Sequence, residues 1–195
     1  MKSNLKENNP LHDRIIEKII NIIRRNPERK EINVGKYSFK KIDGFSKYFI
    51  GNNGDIVTTS FGVRKLIPKK NKYGYIRIRL FNDSGERMNC FIHRLVLEAY
   101  KDKSNLDVNH IDGNPENNYI RNLEYVSRRE NIYHKHLLKN HLVGIKFSEK
   151  YNKWKSVIGI NGKSKLIGYF DSKEKAILSY KNKLIELGIE NKYAI

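Results

Sequence analysis

His110 and two asparagines supply the residue types needed to hydrolyse a phosphodiester bond. The ordinary pKa of histidine suits His110 to the role of general base near neutral pH. Asn109 beside it, and Asn131 further along the chain, supply amide oxygens, which bind hard cations such as Mg²⁺ or Mn²⁺. A base that activates water and a cation that neutralises developing charge suffice for this reaction. On residue type alone, a lone strand histidine is more often a structural residue than a catalyst.

The segment that must position these side chains predicts the order strand, loop, strand, helix. Residues 106–111 predict the first strand, and the polar run 112–118 predicts a loop. Residues 123–126 predict a second, short strand. Ser127 followed by Glu130 forms a capping-box signature, which predicts that a helix begins at Ser127.

The charge of the chain indicates a polyanionic partner. Its 195 residues include 39 Lys and Arg against 21 Asp and Glu, which gives a formal net charge of +18. Because the excess is spread along the whole chain, its field favours an extended polyanion, and nucleic acid is the expected partner. Charge alone leaves a ribosome-like or membrane-surface protein as the alternative.

Cysteine content and hydropathy argue against disulfide-linked, cysteine-zinc, membrane-spanning and secreted proteins. Cys90 is the only cysteine, which rules out an intramolecular disulfide and a cysteine-based zinc site. No window is apolar enough to span a bilayer, and residues 1–10 lack the apolar core of a secretion signal. We expect a soluble intracellular protein, without a membrane or an obligate protein partner. Its Lys-, Ile- and Asn-heavy composition suits an A·T-rich phage or viral genome.

Two runs, HRLVLEAY (93–100) and VNHIDGNPENNYIRNLEYVSRRENIYH (108–134), closely resemble the HNH endonuclease family of mobile introns and phages. The resemblance implies a ββα-metal core, a divalent cofactor (Mg²⁺ or Mn²⁺) and cleavage of double-stranded DNA by a homing-type enzyme. It implies that His110 is the general base and that Asn122 holds the imidazole and the loop. It also implies that Asn131 is the metal ligand on the helix.

Three other residues qualify this resemblance. Many family members carry an anionic Asp where this chain has Asn109, and a neutral amide binds a divalent cation more weakly. A catalytically weakened HNH/AP2 DNA-binding regulator is therefore the alternative function. His134 lies one helical turn from Asn131 and is either a second ligand, a phosphate contact or a surface histidine. The resemblance makes His93 a phosphate contact or a brace for the catalytic loop.

An upstream segment, FSKYFIGNNGDIV (45–57), resembles the modular element that precedes the HNH core of intron-type homing enzymes. Gly51 stands where serine is usual. A plain β-turn unit that stabilises a sheet is the alternative interpretation. The matching residues are Tyr48, Ile50, Asn52 or Asn53, and Gly54.

Residues 143–187 resemble an AP2-type DNA-binding domain, which implies three antiparallel strands in the major groove with a helix behind them. Alternation along the middle strand assigns Trp154 to the core and Lys155 to the outer face. This sheet has no arginine, so we expect mainly phosphate contacts; a solvated lysine-rich surface is the alternative. The lysines assigned to DNA are Lys146, Lys155, Lys163 and Lys165.

Together these patterns predict an α+β protein: a ββα-metal (HNH) core flanked by a small β-rich module and a three-stranded sheet with a helix. The predicted parts are a tail with an amphipathic helix (1–37), the modular element and lead-in (38–100), the core (101–139) and the AP2-like domain (142–190). Apolar and basic residues alternate at 76–80, which predicts a strand with a basic outer face. Further DNA contacts are expected from Arg77, Arg79, His93, Arg128 and Arg129.

Overall fold

The computed structural model describes residues 10–138 and 143–190, which contain four α-helices and 13 strands. The chain divides into two compact units, with the boundary between Tyr125 and Val126. No helix among the described residues is long and apolar enough to cross a membrane. The fold is mixed α and β, as expected, whereas the four domain ranges given above stay predictions.

The first unit opens with helix α1 (Pro10–Arg25), the amphipathic helix predicted within residues 1–37, where isoleucines recur at helical spacing. Its Ile16, Ile19 and Ile23 are buried, and they pack in one cluster with the fully buried Phe39 and Phe49. Asn26-Pro27 follows its last residue, where proline prevents the helix from continuing.

Helix α1 packs on a five-stranded antiparallel sheet with strands in sequence order: β1 (Glu31–Val34), β2 (Tyr37–Ile42), β3 (Phe45–Gly51), β4 (Ile56–Thr58) and β5 (Arg64–Leu66). Of these strands the sequence predicts only short pieces of β3 and β4, at Phe49-Ile50 and Ile56-Val57. The buried Asp55 between them lies 2.8 Å from Lys65 Nζ and 2.9 Å from His12 Nε2. These polar contacts join α1, β5 and the β3–β4 turn.

A second, three-stranded sheet follows: β6 (Lys69–Lys70), β7 (Ile76–Phe81) and β8 (Arg87–Phe91), leading directly into helix α2 (Ile92–Tyr100). Leu80 is buried while Arg77 and Arg79 are exposed, which confirms the predicted basic outer face of β7. Leu80 shares a core with Ile50, Ile56 and residues of α2. That core joins both sheets and the element that carries His110, because Leu123 and Val108 also belong to it.

The chemistry-bearing segment forms strand β9 (Asp107–His110), a 3₁₀ turn (Ile120–Asn122) and strand β10 (Leu123–Val126), which pairs with β9. The predicted strand, loop and strand are confirmed. Helix α3 (Arg128–Leu137) follows. Its capping box is present, since Ser127 Oγ accepts from Glu130 N at 3.2 Å and Ser127 N donates to Glu130 Oε2 at 2.8 Å.

The second unit contains α3 and a three-stranded antiparallel sheet of β11 (Ile145–Ser148), β12 (Lys153–Ile160) and β13 (Lys163–Phe170), followed by helix α4 (Lys173–Glu186). Tyr133 of α3 is buried in the same cluster as Ile158 and Tyr180. The three strands and the helix confirm the predicted elements. The likeness to AP2 domains stays a prediction.

The strand register corrects the face assigned to two of the lysines. Lys165 is paired with Ile158, and Lys163 with Ile160, so both lysines lie on the face that carries the buried Ile158. They were expected on the opposite face with Lys155. The reason is a register shift between Ser156 and Val157, which simple alternation along the sequence does not reveal.

Candidate active site

His110 ends β9 and is 6% exposed. Its Nε2 lies 3.3 Å from Asn118 Oδ1, and Asn118 is itself 5% exposed. The Asn118 Nδ2 donates to Glu116 O at 3.1 Å, so the amide presents its oxygen to the imidazole. A neutral His110 therefore donates through Nε2 and keeps its lone pair on Nδ1, the atom that can accept a proton.

Burial lowers the pKa of His110 below its ordinary value of 6.5, although the Asn118 hydrogen bond and the charge of Asp112 act in the opposite direction. The imidazole is therefore neutral at neutral pH, which is the state that a general base requires.

Asn122 holds the loop that follows His110. Its Nδ2 donates to Asp112 Oδ1 and to Asn117 O, both at 2.9 Å, and its Oδ1 accepts from Asp112 N at 3.1 Å. Burial alone would raise the pKa of Asp112, but hydrogen bonds from Asn117, Asn114 and Asn122 lower it. The contact that was expected between Asn122 and the imidazole is made by Asn118, which sequence reasoning missed.

Asn109 precedes the histidine and is 5% exposed. Its Nδ2 donates to Glu124 Oε1 on the paired strand at 2.7 Å, so its Oδ1 is the atom suited to a cation. Within residues 10–138 and 143–190, no three His, Cys, Asp or Glu side chains cluster as a metal site. Amide oxygens are outside that set, yet they fit the hard-oxygen chemistry of Mg²⁺ or Mn²⁺.

His93 lies in the first turn of α2, and its ring contacts the ring of His110. The ring centroids of His93 and His110 are 5.2 Å apart at 84°, and Phe91 stacks on His93 at 5.3 Å. Burial, followed by the charges of His110 and Arg94, lowers the pKa of His93 to about 3. His93 is therefore a neutral ring beside His110, an arrangement that favours the brace over the phosphate contact.

The β3–β4 turn of the N-terminal sheet contacts the loop that follows His110. Gly54 has φ +86°, and a Cβ at this position would lie 2.9 Å from Asn118 Cβ and 3.0 Å from Ile92 Cγ2. Asn52 O accepts a hydrogen bond from Ile120 N at 2.8 Å. The segment with the resemblance to a modular element thus packs against the residue that holds His110.

A basic face lies on the β6–β8 sheet. Arg77 is paired with Lys69 on one side and Phe91 on the other, and Arg79 is paired with Asn89. Arg79 Nε donates to Asn89 Oδ1 at 3.2 Å. Lys69, both arginines and Asn89 line a concavity of about 400 Å³. The geometry suits a phosphate backbone or base edges.

The remaining predicted residues lie in the second unit. On α3, Arg128 is exposed, Asn131 is half-buried and His134 is 5% exposed. Arg129 Nη2 donates to Gly159 O at 2.6 Å, so one of its donors holds α3 to the C-terminal sheet. Lys146 and Lys155 are cross-strand partners on the outer face. Metal and DNA binding by these residues stay predictions.

Comparison with known proteins identifies the segment that holds this site. Residues 90–133 match the family model for HNH endonucleases. The chain is 36% identical over 86 residues to the SPbeta prophage-derived putative HNH homing endonuclease YosQ of Bacillus subtilis, covering 40% of this chain and 50% of the relative. It is 34% identical over 101 residues to the DNA endonuclease I-HmuI of Bacillus phage SP01, covering 48% of this chain and 55% of that enzyme.

A viral HNH endonuclease and a solved structure of an HNH homing endonuclease also match the chain. An uncharacterized HNH endonuclease, L247, of Acanthamoeba polyphaga mimivirus is 34% identical over 97 residues, which cover 48% of this chain and 24% of L247. These relatives are matched over about half of their length or less. A solved structure on DNA binding and cleavage by I-HmuI aligns with 78% of this chain and 91% of its own, at 26% identity and a TM-score of 0.47.

Proposed function

We propose that the chain, which carries an HNH endonuclease segment over residues 90–133, is a homing-type endonuclease that hydrolyses phosphodiester bonds in double-stranded DNA. One observation carries the proposal: within this segment His110 is buried and neutral, with Nε2 held by Asn118. Its relatives are named as DNA or homing endonucleases, and the net charge of +18 suits a DNA substrate.

The chain's own residues prepare a water molecule for attack on the phosphate. His110 accepts the water proton at Nδ1, while Asn118 keeps the ring in the tautomer that leaves this nitrogen basic. Asn122 fixes the loop through Asp112 and Asn117, so the histidine and the loop keep one geometry. This fixed geometry contributes because catalysis depends on the positions of the reacting atoms.

A divalent cation completes the proposed chemistry. Bound Mg²⁺ or Mn²⁺ supplies positive charge at the scissile phosphate and the leaving oxygen. Asn109 is the proposed ligand on β9, and by the family resemblance Asn131 and His134 are the proposed ligands on α3. Amide oxygens suit these hard cations, while His134 suits Mn²⁺ better than Mg²⁺.

Separate surfaces are proposed to hold the DNA. Arg77 and Arg79 on the β6–β8 sheet present paired donors on an exposed face, which suits both phosphates and base edges. Lys146 and Lys155 on the outer face of the C-terminal sheet suit phosphates, as does the exposed Arg128. Lys163 and Lys165 lie on the other face of that sheet but are exposed, so they are proposed as separate phosphate contacts.

The test is cleavage of a supercoiled plasmid that carries the intronless host locus, with Mg²⁺, Mn²⁺ or EDTA. We expect nicked or linear product with either metal, none with EDTA, and one mapped cleavage position. Tight DNA binding without product under every metal condition would contradict the proposal and would support the DNA-binding regulator instead.

A further inference from the structure

The proposed metal site needs negative charge that Asn109 does not supply. Hard divalent cations bind most strongly where carboxylate oxygens contribute charge, and a neutral amide is a weaker ligand. Asn109 is 5% exposed, so water screens the charges around it only in part. A carboxylate in contact with this side chain would therefore act strongly on a cation bound there.

Glu124 makes that contact. It lies on β10, which is paired with β9, and its Oε1 accepts the hydrogen bond from Asn109 Nδ2 at 2.7 Å. A charge-assisted bond of this kind polarises the donor amide, which makes the Asn109 oxygen more negative. The same bond fixes which end of the amide points to Glu124, and hence which atom is the ligand.

Two other acids of the loop have different roles. Asp112 receives hydrogen bonds from Asn122 and Asn117 on its two carboxylate oxygens. Glu116 forms an ion pair with Lys70 on β6. Their contacts serve the shape of the loop, whereas Glu124 accepts a hydrogen bond from Asn109 itself.

We propose that Glu124 is the acidic positioning residue of the metal site: it orients the Asn109 amide and supplies the negative charge that the asparagine lacks. Glu124 then acts from the neighbouring strand as an outer-shell carboxylate behind the Asn109 ligand. This inference rests on the proposed function, because it assigns Asn109 to the metal.

The direct test measures Mn²⁺ affinity without turnover. In the His110→Ala background, Mn²⁺ is titrated by calorimetry and by the electron paramagnetic resonance of the free ion, with a DNA duplex present. Glu124→Gln keeps the size and the acceptor atom but removes the charge, and we expect affinity to fall roughly ten- to hundredfold. Glu86→Gln is the matched control, since it neutralises a carboxylate that accepts from Asn82 Nδ2 at 2.8 Å in the β7–β8 turn.

Exchanging the amide of Asn109 and the carboxylate of Glu124 tests whether Glu124 acts through its charge or only through a structural hydrogen bond. Asn109→Asp alone puts a carboxylate at the ligand position, so we expect Mn²⁺ affinity to rise. Asn109→Asp combined with Glu124→Gln restores one carboxylate and one amide, and we expect affinity to return at least to that of the His110→Ala parent. Urea unfolding checks that each variant is folded.

The results distinguish failure of the Glu124 role from failure of the endonuclease proposal. If Glu124→Gln binds Mn²⁺ as tightly as the parent, or if the exchanged pair stays as weak as Glu124→Gln, the role of Glu124 is wrong while the endonuclease proposal stands. If the parent binds no Mn²⁺ and the unmutated chain cuts no DNA, both fail together.

Discussion

Replacing Gly54 with alanine should slow DNA cleavage without preventing folding. Two effects are expected. An L residue at φ +86° costs about 1–2 kcal/mol of folding free energy. In addition, the new Cβ would lie 2.9 Å from Asn118 Cβ, closer than real Cβ atoms approach other atoms, so Asn118 or the turn must shift. Both Gly54 and Asn118 line a cavity of about 470 Å³, which leaves room for this displacement.

Displacement of Asn118 should also move His110, because His110 Nε2 is hydrogen-bonded to Asn118. Displacement of a catalytic group by about 1 Å costs about 100-fold in rate, so a shift of part of that distance should lower the cleavage rate by about 10- to 100-fold. Because the substitution leaves the proposed DNA-binding face of the β6–β8 sheet unchanged, affinity for DNA should not fall with the rate.

Gly85→Ala is the matched control. Gly85 has φ +83°, and nothing lies within 4 Å of a Cβ built there, so it shares the backbone cost without the contact. Single-turnover cleavage at saturating protein gives the rate, a binding titration gives the affinity, and urea unfolding gives the stability. Equal cleavage rates for the two folded variants would refute the reasoning.

Three further predictions concern the pH dependence of stability, the loop and the DNA-binding face. The pKa of His93 is about 3 in the folded chain and near 6.5 in the unfolded chain. Because the unfolded chain therefore binds the proton more tightly, the free energy of unfolding should fall as the pH falls below 6.5. In His93→Phe, urea unfolding should show a less steep fall with pH than in the parent. Asn122→Ala removes the hydrogen bonds to Asp112 and Asn117 and should cost about 1–3 kcal/mol in urea unfolding, whereas an unchanged value contradicts the loop role. Arg79→Ala should reduce the slope of log affinity against log salt by about 0.9 if it neutralises one phosphate, and an unchanged slope excludes that contact.

Periodicity and turn chemistry accounted for the elements whose signals are local. The isoleucine stripe predicted α1, and the Ser127–Glu130 pair predicted the start of α3. Strand β1 was missed because it is only four residues long, and β2 because Lys40 and Lys41 interrupt its apolar alternation. They are held by pairing with neighbouring strands, which a short sequence window does not contain.

Site residues that belong to a motif of fixed spacing were predictable from the sequence. Residues whose roles depend on which side chains meet in the folded chain were not. His110, Asn109 and Asn122 followed from their positions in one motif. Asn118 was missed because the loop contains several asparagines, and only the folded chain shows which one meets the imidazole. The role of Gly54 depends likewise on packing against Asn118, far along the chain.

The central claim is that His110 activates the attacking water in a metal-dependent nuclease. Paired measurement of DNA cleavage and DNA affinity for the parent chain and His110→Ala, both with Mn²⁺, tests it most directly. The account predicts that cleavage is abolished while affinity is retained, because it assigns water activation to His110 and DNA binding to other residues. Undiminished cleavage by His110→Ala would contradict it.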